Sequence, residues 1–286
     1  MPGVVDRVVI VTGAGGGLGR EYARLLAAEG ALVVVNDLGS NRDGTGSGTA
    51  MADSVVGEIR AMGGRAVANY DSVATAAGAA AVVATALAEF GAVHGIVNNA
   101  GILRDGSFAK MTEENWDAVV RVHLFGAYHV THAAWGHFRE QGYGRVVMAT
   151  STTGLYGTFG QANYGAAKLG LVGLMNTLAI EGREYDITVN AVAPLAATRM
   201  TAEAPADLLQ NLPPAHVAPV VGFLLSEECE DTGMVLIVGG GTVQRVQLFA
   251  GKPVLYPEVP TIEEVRENWN RITDMSDAEP GANPVG

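Results

Sequence analysis

The sequence of 286 residues is poor in cysteine, in aromatic side chains and in basic side chains. Its single cysteine, Cys229, excludes an internal disulfide and a thiolate metal site, which is typical of a reducing compartment such as the cytoplasm. Lys and Arg number 18 against 30 Asp and Glu, and the net charge of −12 is opposite to that of nucleic-acid-binding proteins. The hydrophobic content of 48%, in contrast, is enough for a large core and excludes overall disorder.

Sequence features of membrane and secreted proteins are also missing. The stretch Val146–Ala167 carries no charged side chain, but its Gly, Ser, Thr, Asn and Gln residues disfavour insertion into a bilayer. At the amino terminus, Asp6 and Arg7 precede only a short apolar run, which is not typical of a secretory signal. We therefore expect a cytoplasmic protein with no membrane partner.

Short apolar runs rich in β-branched residues alternate with helical stretches that end in glycine, a rhythm typical of βαβ units. The runs lack polar alternation, as expected of strands that helices cover on both faces. The predicted fold is α/β, a single Rossmann-like, doubly wound, seven-stranded parallel sheet over residues 1–244 with helices on both faces. The predicted strands are Val8–Val11, Leu32–Asn36, Ala66–Asn69, Gly95–Asn98, Val146–Ala149, Ile187–Ala193 and Val235–Val238. The predicted helices are Leu18–Glu29, Ala50–Met62, Ala74–Phe90, Glu113–His137, Ala162–Glu181 and Pro214–Leu225.

Two segments depart from this rhythm. Residues Gly39–Thr49 contain four glycines and predict a mobile loop beside the end of the second strand. Residues 245–286 are rich in proline at first and then contain a helix-like stretch, Thr261–Ile272. We expect this C-terminal extension to dock or dimerise rather than to form a domain of its own.

The first predicted strand leads into a glycine-rich turn, Thr12–Gly19, that opens a helix. Glycines in such a turn allow positive φ and bring backbone N–H groups to a pyrophosphate at the helix N-terminus. Asp37 ends the next strand, 24 residues after Gly13, where a carboxylate binds ribose hydroxyls and repels a 2′-phosphate. The pattern predicts NAD rather than NADP, and a solvated strand-end acid is the alternative for Asp37.

Tyr164 and Lys168 are four residues apart on a predicted helix, so both side chains project from one face. Ser151 comes 13 residues before Tyr164 at the end of a strand, where α/β sheets bind ligands. A nearby ammonium stabilises tyrosinate and lowers the pKa of tyrosine toward that of a general base, and a serine hydroxyl orients an alcohol or a ketone. Together the three predict an alcohol–ketone oxidoreductase, although each alone has an ordinary structural role.

Four motifs resemble the short-chain dehydrogenase/reductase family: Thr12–Gly19, Asn98–Gly101, Ser151 and Tyr164–Lys168. The resemblance implies the family's fold, dinucleotide chemistry and a homodimer or homotetramer. It implies that residues 71–73 flank the adenine, that residues 194–198 cover the nicotinamide and that Lys168 also binds the nicotinamide ribose. The cofactor-binding residues expected from the loop and the resemblance are Gly13, Gly15, Gly17, Leu18, Gly19, Asp37, Asp71, Ser72, Val73, Asn99, Ala100, Gly101, Tyr164, Lys168, Pro194, Ala197 and Thr198.

A narrower resemblance covers residues 1–245 and part of the tail, and the segments that carry it are Val35–Gly39, Ala68–Val73, Gly101–Asp105, Arg121–Leu124 and Tyr156–Tyr164. These segments resemble the (3R)-hydroxyacyl-CoA dehydrogenase unit of peroxisomal multifunctional enzyme type 2, also called 17β-hydroxysteroid dehydrogenase type 4. The resemblance implies oxidation of the 3-hydroxyl of a (3R)-hydroxyacyl-CoA thioester to the 3-ketone. A dehydrogenase of a steroid or another secondary alcohol, and a non-catalytic dinucleotide-binding protein, are the alternatives.

The sequence departs from the family at one position that bears on proton transfer. Many members carry an asparagine that holds a proton-relay water, and the matching residue here is His123. A histidine titrates near neutral pH, so His123 is a candidate catalytic residue for proton relay, and a core histidine is the alternative. The usual Pro-Gly after the sixth strand is also replaced, by Pro194-Leu195.

Three basic residues, Arg104, Lys110 and Arg199, fall near the predicted mouth of the cleft. They are expected either to meet the phosphates of a CoA thioester or to be solvated surface charges. His129 and His132 are three residues apart on a helix, but no convincing carboxylate or thiol shares their face, so no metal is expected.

Overall fold

A computed structural model describes residues 3–201 and 210–283 of the chain. By its internal contacts the chain divides into two compact units, residues 1–244 and 245–286. That the first unit is catalytic and the second docks or dimerises remains a prediction.

The first unit is built on a sheet in the order β3-β2-β1-β4-β5-β6-β7-β8. Each neighbouring pair from β3 through β7 is parallel, which confirms an α/β, Rossmann-like fold. The order reverses between β1 and β4, and ligands of open α/β sheets bind at the carboxyl ends of strands beside such a reversal. The strands are β1 Val8–Thr12, β2 Leu32–Asn36, β3 Arg65–Asn69, β4 Gly95–Asn98, β5 Gly144–Ala149, β6 Ile187–Pro194, β7 Val235–Gly239 and β8 Thr242–Val246.

The sheet has eight strands, so the predicted seven is wrong by one. The eighth strand, β8, starts after only Gly240 and Gly241, whose φ angles are 57° and 78°. A connection this short joins antiparallel strands, because a parallel pair needs a long crossover. The sequence TVQRV of β8 is mostly exposed and lacks a continuous apolar run, which is why the hydrophobic pattern missed it.

The helices follow the predicted rhythm with three differences. A short helix over Thr152–Tyr156 was not predicted. The single helix expected over Glu113–His137 is divided by a π-helical turn, Arg121–Phe125. The helix expected over Pro214–Leu225 begins as a 3₁₀ turn, Pro214–His216. The helices of the first unit are α1 Gly17–Ala28, α2 Ala50–Ala61, α3 Ala76–Phe90, α4 Glu113–Val120, α5 Gly126–Gln141, α6 Thr152–Tyr156, α7 Ala162–Glu181 and α8 Ala218–Leu224, with further 3₁₀ turns Phe108–Lys110, Arg183–Tyr185 and Arg199–Thr201.

The second unit contains short elements only. Helices α9, Ile262–Glu267, and α10, Trp269–Ile272, follow one another, and strands β9, Phe249–Ala250, and β10, Glu279–Pro280, pair antiparallel. Thr261 begins α9 with a capping box, in which its side chain and that of Glu264 satisfy each other's backbone N–H groups. The helix-like pattern over Thr261–Ile272 therefore corresponds to two consecutive short helices.

The most deeply buried charge in the sheet is Arg145 of β5, which is 2% exposed. Its guanidinium donates to the carbonyl oxygens of Ser226 at 3.2 Å and Asp186 at 2.7 Å, and forms an ion pair with the Asp186 carboxylate at 3.2 Å. It also stacks on the Tyr143 ring, 4.2 Å from the centroid. These contacts satisfy the cation and join β5 to the segments before β6 and after α8.

Replacing Arg145 by alanine should lower the free energy of unfolding by about 3 kcal/mol, because the change leaves buried acceptors without a donor. Urea unfolding followed by circular dichroism measures the loss. Arg183→Ala, at an exposed arginine, is the control and should change stability by about 0.5 kcal/mol or less. Equal losses for the two variants would contradict this role for Arg145.

Candidate active site

A cleft of about 360 Å³ lies at the carboxyl ends of β1 to β4. The glycine turn forms one wall, and the segments that follow β2, β3 and β4 form the others. Most of the expected cofactor residues line this cleft. They are Gly13, Gly17, Leu18, Asp37, Asp71, Ser72, Val73, Asn99, Ala100, Gly101 and Thr198.

Two glycines of the turn have no room for a side chain. A Cβ atom on Gly13, whose φ is 63°, would lie 2.8 Å from Ala100 Cα, and one on Gly19 would lie 2.3 Å from the Gly13 carbonyl oxygen. Helix α1 begins at Gly17 with no side-chain cap and no acidic residue in its first turn. Its N-terminal N–H groups and the positive end of its dipole are therefore suited to a phosphate, and the turn fits the pyrophosphate of a dinucleotide.

Asp37 ties the end of β2 to the glycine turn. Its Oδ2 accepts from the Gly15 N–H at 2.7 Å, and its Oδ1 accepts from the Gly39 N–H at 2.7 Å. Gly15 itself has no room for a side chain, because a Cβ there would lie 2.8 Å from Asp37 Oδ2, and it is not among the residues that line the cleft. Each carboxylate oxygen accepts more than one hydrogen bond, so Asp37 still has acceptor capacity for ribose hydroxyls.

Sequence reasoning missed a pair of asparagines beneath the cleft. Asn36 Nδ2 donates to Asn69 Oδ1 at 2.8 Å, and Asn69 Nδ2 donates to Asp71 Oδ2 at 2.8 Å. Asn36 ends β2 and Asn69 ends β3, and both are buried, where an amide has to be hydrogen-bonded. The position of the two asparagines at the carboxyl ends of β2 and β3 was the sequence signal that could have identified the pair. The network fixes the carboxylate expected to flank the adenine.

The glycine-rich loop over residues 39–49 was predicted to be mobile, and the structure holds it with backbone hydrogen bonds. Asn41 N–H donates to the Thr45 carbonyl at 2.8 Å, and Leu103 N–H donates to the Arg42 carbonyl at 3.0 Å. Sequence reasoning did not assign this loop to the site, yet part of it lines the cleft. The lining residues are Ser40, Asn41, Arg42 and Gly44.

The structure brings Ser151 and Tyr164 together. Ser151 precedes α6, accepts from the Thr153 N–H at 3.1 Å, and shares a side-chain hydrogen bond with Tyr164 in the first turn of α7. Burial raises the pKa of Tyr164, the hydrogen bond with Ser151 lowers it, and the charge of Asp105 raises it, with a raised pKa as the net result. Tyr164 therefore holds its proton near neutral pH.

Lys168 lies one helical turn after Tyr164 and is 4% exposed. Its Nζ donates to the Ala149 carbonyl and lies over the Tyr164 ring, 5.5 Å from the centroid. Burial lowers the pKa of Lys168 to about 7. From the sequence, a nearby ammonium was expected to lower the pKa of Tyr164. In the structure this pKa is raised instead, because the effect of burying the phenol is larger.

His123 lies in the π-helical turn, is 3% exposed and packs edge-on against Tyr164, with 5.1 Å between the ring centroids. Its Nε2 is 2.8 Å from the carbonyl oxygen and 3.0 Å from the amide nitrogen of Ile102. Burial and the charge of Lys168 lower the pKa of His123 to about 3, so the ring is neutral at physiological pH. The Nε2 contacts hold the ring beside Ile102, while the buried Nδ1 has no hydrogen-bond partner among the described residues, so both the core role and proton relay remain predictions.

The segment after β6 is only partly described. Pro194 ends β6, the Ala197 N–H donates to the Leu212 carbonyl at 2.7 Å, and Thr198 reaches the cleft. Residues 202–209, which follow this segment, lie outside the described part. Whether Pro194 and Ala197 cover a nicotinamide remains a prediction.

The three basic residues expected near the cleft mouth have different surroundings. Arg104 donates from Nε to the Asp43 carbonyl at 2.8 Å and pairs with Glu114 at 3.2 Å, so it anchors the 39–49 loop. Lys110 is exposed at the end of a 3₁₀ turn. The side chain of Arg199 lies outside the described part.

Two further features are absent from residues 3–201 and 210–283. No group of three or more His, Cys, Asp or Glu side chains there has the arrangement of a metal site. In the same ranges, no helix combines the length and the apolar character needed to cross a membrane.

The sequence pattern of the short chain dehydrogenase family matches residues 7–208. The chain belongs to the short-chain dehydrogenase/reductase family. Members are oxidoreductases that typically bind a nicotinamide dinucleotide and act on small molecules. Ser151, Tyr164 and Lys168 lie together, but none of the three is among the residues that line the cleft. His123 connects them to it, since its ring packs against Tyr164 and lies beside Gly101 of the cleft wall.

Three individual proteins show what this chain is similar to within and beyond the family's single-domain members. The chain is 66% identical to a short-chain type dehydrogenase/reductase of Mycobacterium tuberculosis, over 97% of this chain and 98% of that protein. It is 52% identical to peroxisomal multifunctional enzyme type 2 of Mus musculus, over 95% of this chain but 37% of that protein. The structure of the full-length enzyme of this type from Drosophila melanogaster superposes with a TM-score of 0.82 at 42% identity, covering 98% of this chain and 48% of that one. The chain therefore corresponds to one part of these longer enzymes.

Burial of Lys168 should make stability depend on pH. The pKa falls from 10.5 to about 7 on folding, so between these values the unfolded chain binds the proton that the folded one has lost. The penalty for burying the ammonium is then greatest below pH 7 and is relieved as the pH rises toward 10.5. Relative to Lys168→Met, the wild type should gain stability from pH 7 to pH 10 in urea unfolding experiments. Relative to Lys110→Met, which changes an exposed lysine, the wild type should show no such gain. A stability difference between the wild type and Lys168→Met that does not change with pH would refute the prediction.

Proposed function

We propose that the protein is an NAD-dependent dehydrogenase that oxidises the 3-hydroxyl of (3R)-hydroxyacyl-CoA thioesters to the 3-ketone. The observation that carries the proposal is the grouping of Ser151, Tyr164 and Lys168, which His123 connects to the cleft through its contacts with Tyr164 and Gly101. The substrate class is supported by the resemblance to the dehydrogenase unit of the multifunctional enzymes. That resemblance extends over nearly the whole chain.

The three side chains have separate roles in this reaction. Ser151 hydrogen-bonds the reacting oxygen, and Tyr164 takes the hydroxyl proton during oxidation or gives it back during reduction. The raised pKa of Tyr164 favours its protonated form, so oxidation should speed up as the pH rises above neutral. Lys168, with a pKa of about 7, is the neighbouring group able to exchange a proton in this range.

The nicotinamide dinucleotide supplies the hydride acceptor when it is bound. The glycine turn would hold its pyrophosphate, and Asp37 its adenosine ribose. Asp71, Ser72 and Val73 would flank the adenine. The position of the Asp37 carboxylate beside the turn supports NAD, because a 2′-phosphate there would meet a negative charge.

We further propose that the protein acts in the cytoplasm as a homodimer or homotetramer. Aromatic side chains on and next to α5 support self-association, since Phe125 and Tyr128 are 46% and 44% exposed. Residues 245–286 would contribute by docking or dimerising.

Replacing Tyr164 by phenylalanine should lower kcat by about 100-fold or more, because the hydroxyl that carries the proton is lost. The assay follows NADH absorbance with NAD and a panel of (3R)- and (3S)-hydroxyacyl-CoA esters, with 17β-estradiol as the alternative alcohol. Tyr185→Phe, outside the cleft, is the matched control and should keep full activity. Turnover of the steroid alone would move the assignment to a steroid dehydrogenase, and full activity of Tyr164→Phe would exclude the proposed chemistry.

Asp37→Asn should reduce the preference for NAD over NADP by about tenfold or more, because the charge that repels a 2′-phosphate is removed. The ratio of kcat/KM for the two cofactors, measured with one hydroxyacyl-CoA ester, reports the change. Asp43→Asn removes a nearby acidic charge from the 39–49 loop and should leave the ratio within about twofold. A wild type that prefers NADP would overturn the cofactor assignment.

A further inference from the structure

Asn163, the residue immediately before Tyr164, is fully buried and makes three hydrogen bonds. Its Nδ2 donates to the Arg104 carbonyl at 3.0 Å and to the Asn115 carbonyl at 3.1 Å. Its Oδ1 accepts from the backbone N–H of Tyr164 at 2.8 Å. One side chain thus joins the segment after β4, helix α4 and the residue that bears the reactive hydroxyl.

The bond to Tyr164 satisfies a group that the helix leaves unpaired. Tyr164 lies in the first turn of α7, where backbone N–H groups have no carbonyl one turn earlier to donate to. Gln161 precedes the helix without a side-chain cap, and the first bond along the helix runs from the Gly165 N–H to the Gln161 carbonyl at 2.7 Å. Asn163 therefore supplies the acceptor that fixes the Tyr164 backbone.

Neighbouring contacts also hold the start of α7 against the segment after β4. The Gly106 N–H donates to the Gly160 carbonyl at 2.8 Å, and Gly106 forms an isolated bridge with Gln161. Gln161 Nε2 donates to Asp105 Oδ2 at 2.9 Å. The start of α7 is consequently held against residues 104–106, the segment that begins at the cleft wall.

We propose that Asn163 is a positioning residue that fixes the Tyr164 hydroxyl in its reactive orientation relative to the cleft. Only a side-chain amide supplies the donors for two carbonyls and the acceptor for one N–H at this position. Aspartate has nearly the same shape, but its oxygens would oppose the Arg104 and Asn115 carbonyls. The inference rests on the proposed role of Tyr164 in proton transfer.

The test compares the full-length wild type with Asn163→Ala and Asn163→Asp. Kinetics use NAD and (3R)-3-hydroxybutyryl-CoA, and a fluorescence titration gives the Kd of NADH. We expect kcat to fall about tenfold or more in both variants, with KM and the NADH Kd within about threefold of the wild type, because a misplaced group affects the chemical step. Asn176→Ala, at an exposed asparagine of the same helix, is the control and should retain wild-type kcat.

A second readout does not depend on turnover. Amide exchange of Tyr164, followed by NMR in protein labelled with ¹⁵N-tyrosine, should become about tenfold faster in Asn163→Ala, because the acceptor of that N–H is gone. Tyr164→Phe identifies the resonance. Should Asn163→Ala fail to fold, Asn163→Ser retains part of the volume and polarity and serves instead.

The outcomes are distinct. Unchanged kcat together with unchanged exchange of the Tyr164 amide overturns the proposal. So does a fall in kcat matched by an equal loss of NADH binding, which indicates general damage to the fold. If the wild type oxidises no hydroxyacyl-CoA, the proposed function fails, and the exchange of the Tyr164 amide still decides whether Asn163 holds that residue.

Discussion

The close approach of the chain after β1 to the chain after β4 is the constraint from which the site is built. Thr12 Oγ1 accepts from the N–H groups of Asn99 and Ala100 at 3.0 Å each, and Asn99 Nδ2 donates back to the Thr12 carbonyl at 2.9 Å. A side chain on Gly13 has no room at this junction. The two strand ends are therefore held together, and the cleft, the start of α1 and the segment toward Ile102 all take their positions from them.

Burial decides the protonation of the side chains around the proposed reaction centre. The same desolvation raises the pKa of Tyr164, lowers that of Lys168 to about 7 and lowers that of His123 to about 3. All three shifts favour the neutral form, because a low-dielectric surrounding penalises charge of either sign. Near pH 7 the neutral forms of Tyr164 and His123 are therefore favoured, and Lys168 is close to its own pKa.

An acidic protein has to hold an anionic cofactor by geometry rather than by bulk attraction. The net charge of −12 is unfavourable for a pyrophosphate at long range, although salt screens much of that effect. The uncapped N-terminus of α1 supplies short-range N–H donors instead. The hydrogen-bonded 39–49 loop adds a further wall, and its contact with Arg104 connects that wall to the segment leading to Tyr164.

The sequence by itself determined the parallel α/β fold, because strands that helices cover on both faces are continuous apolar runs, and such runs alternate with helical stretches along this chain. It also determined that Gly13 and Asp37 share one cleft, since both follow strand ends. It missed β8, whose exposed residues carry no apolar run, and the role of the 39–49 loop, whose contacts are long-range. Only the tertiary structure decided the protonation of His123 and the three bonds of Asn163, because burial and partners depend on segments far apart in the chain.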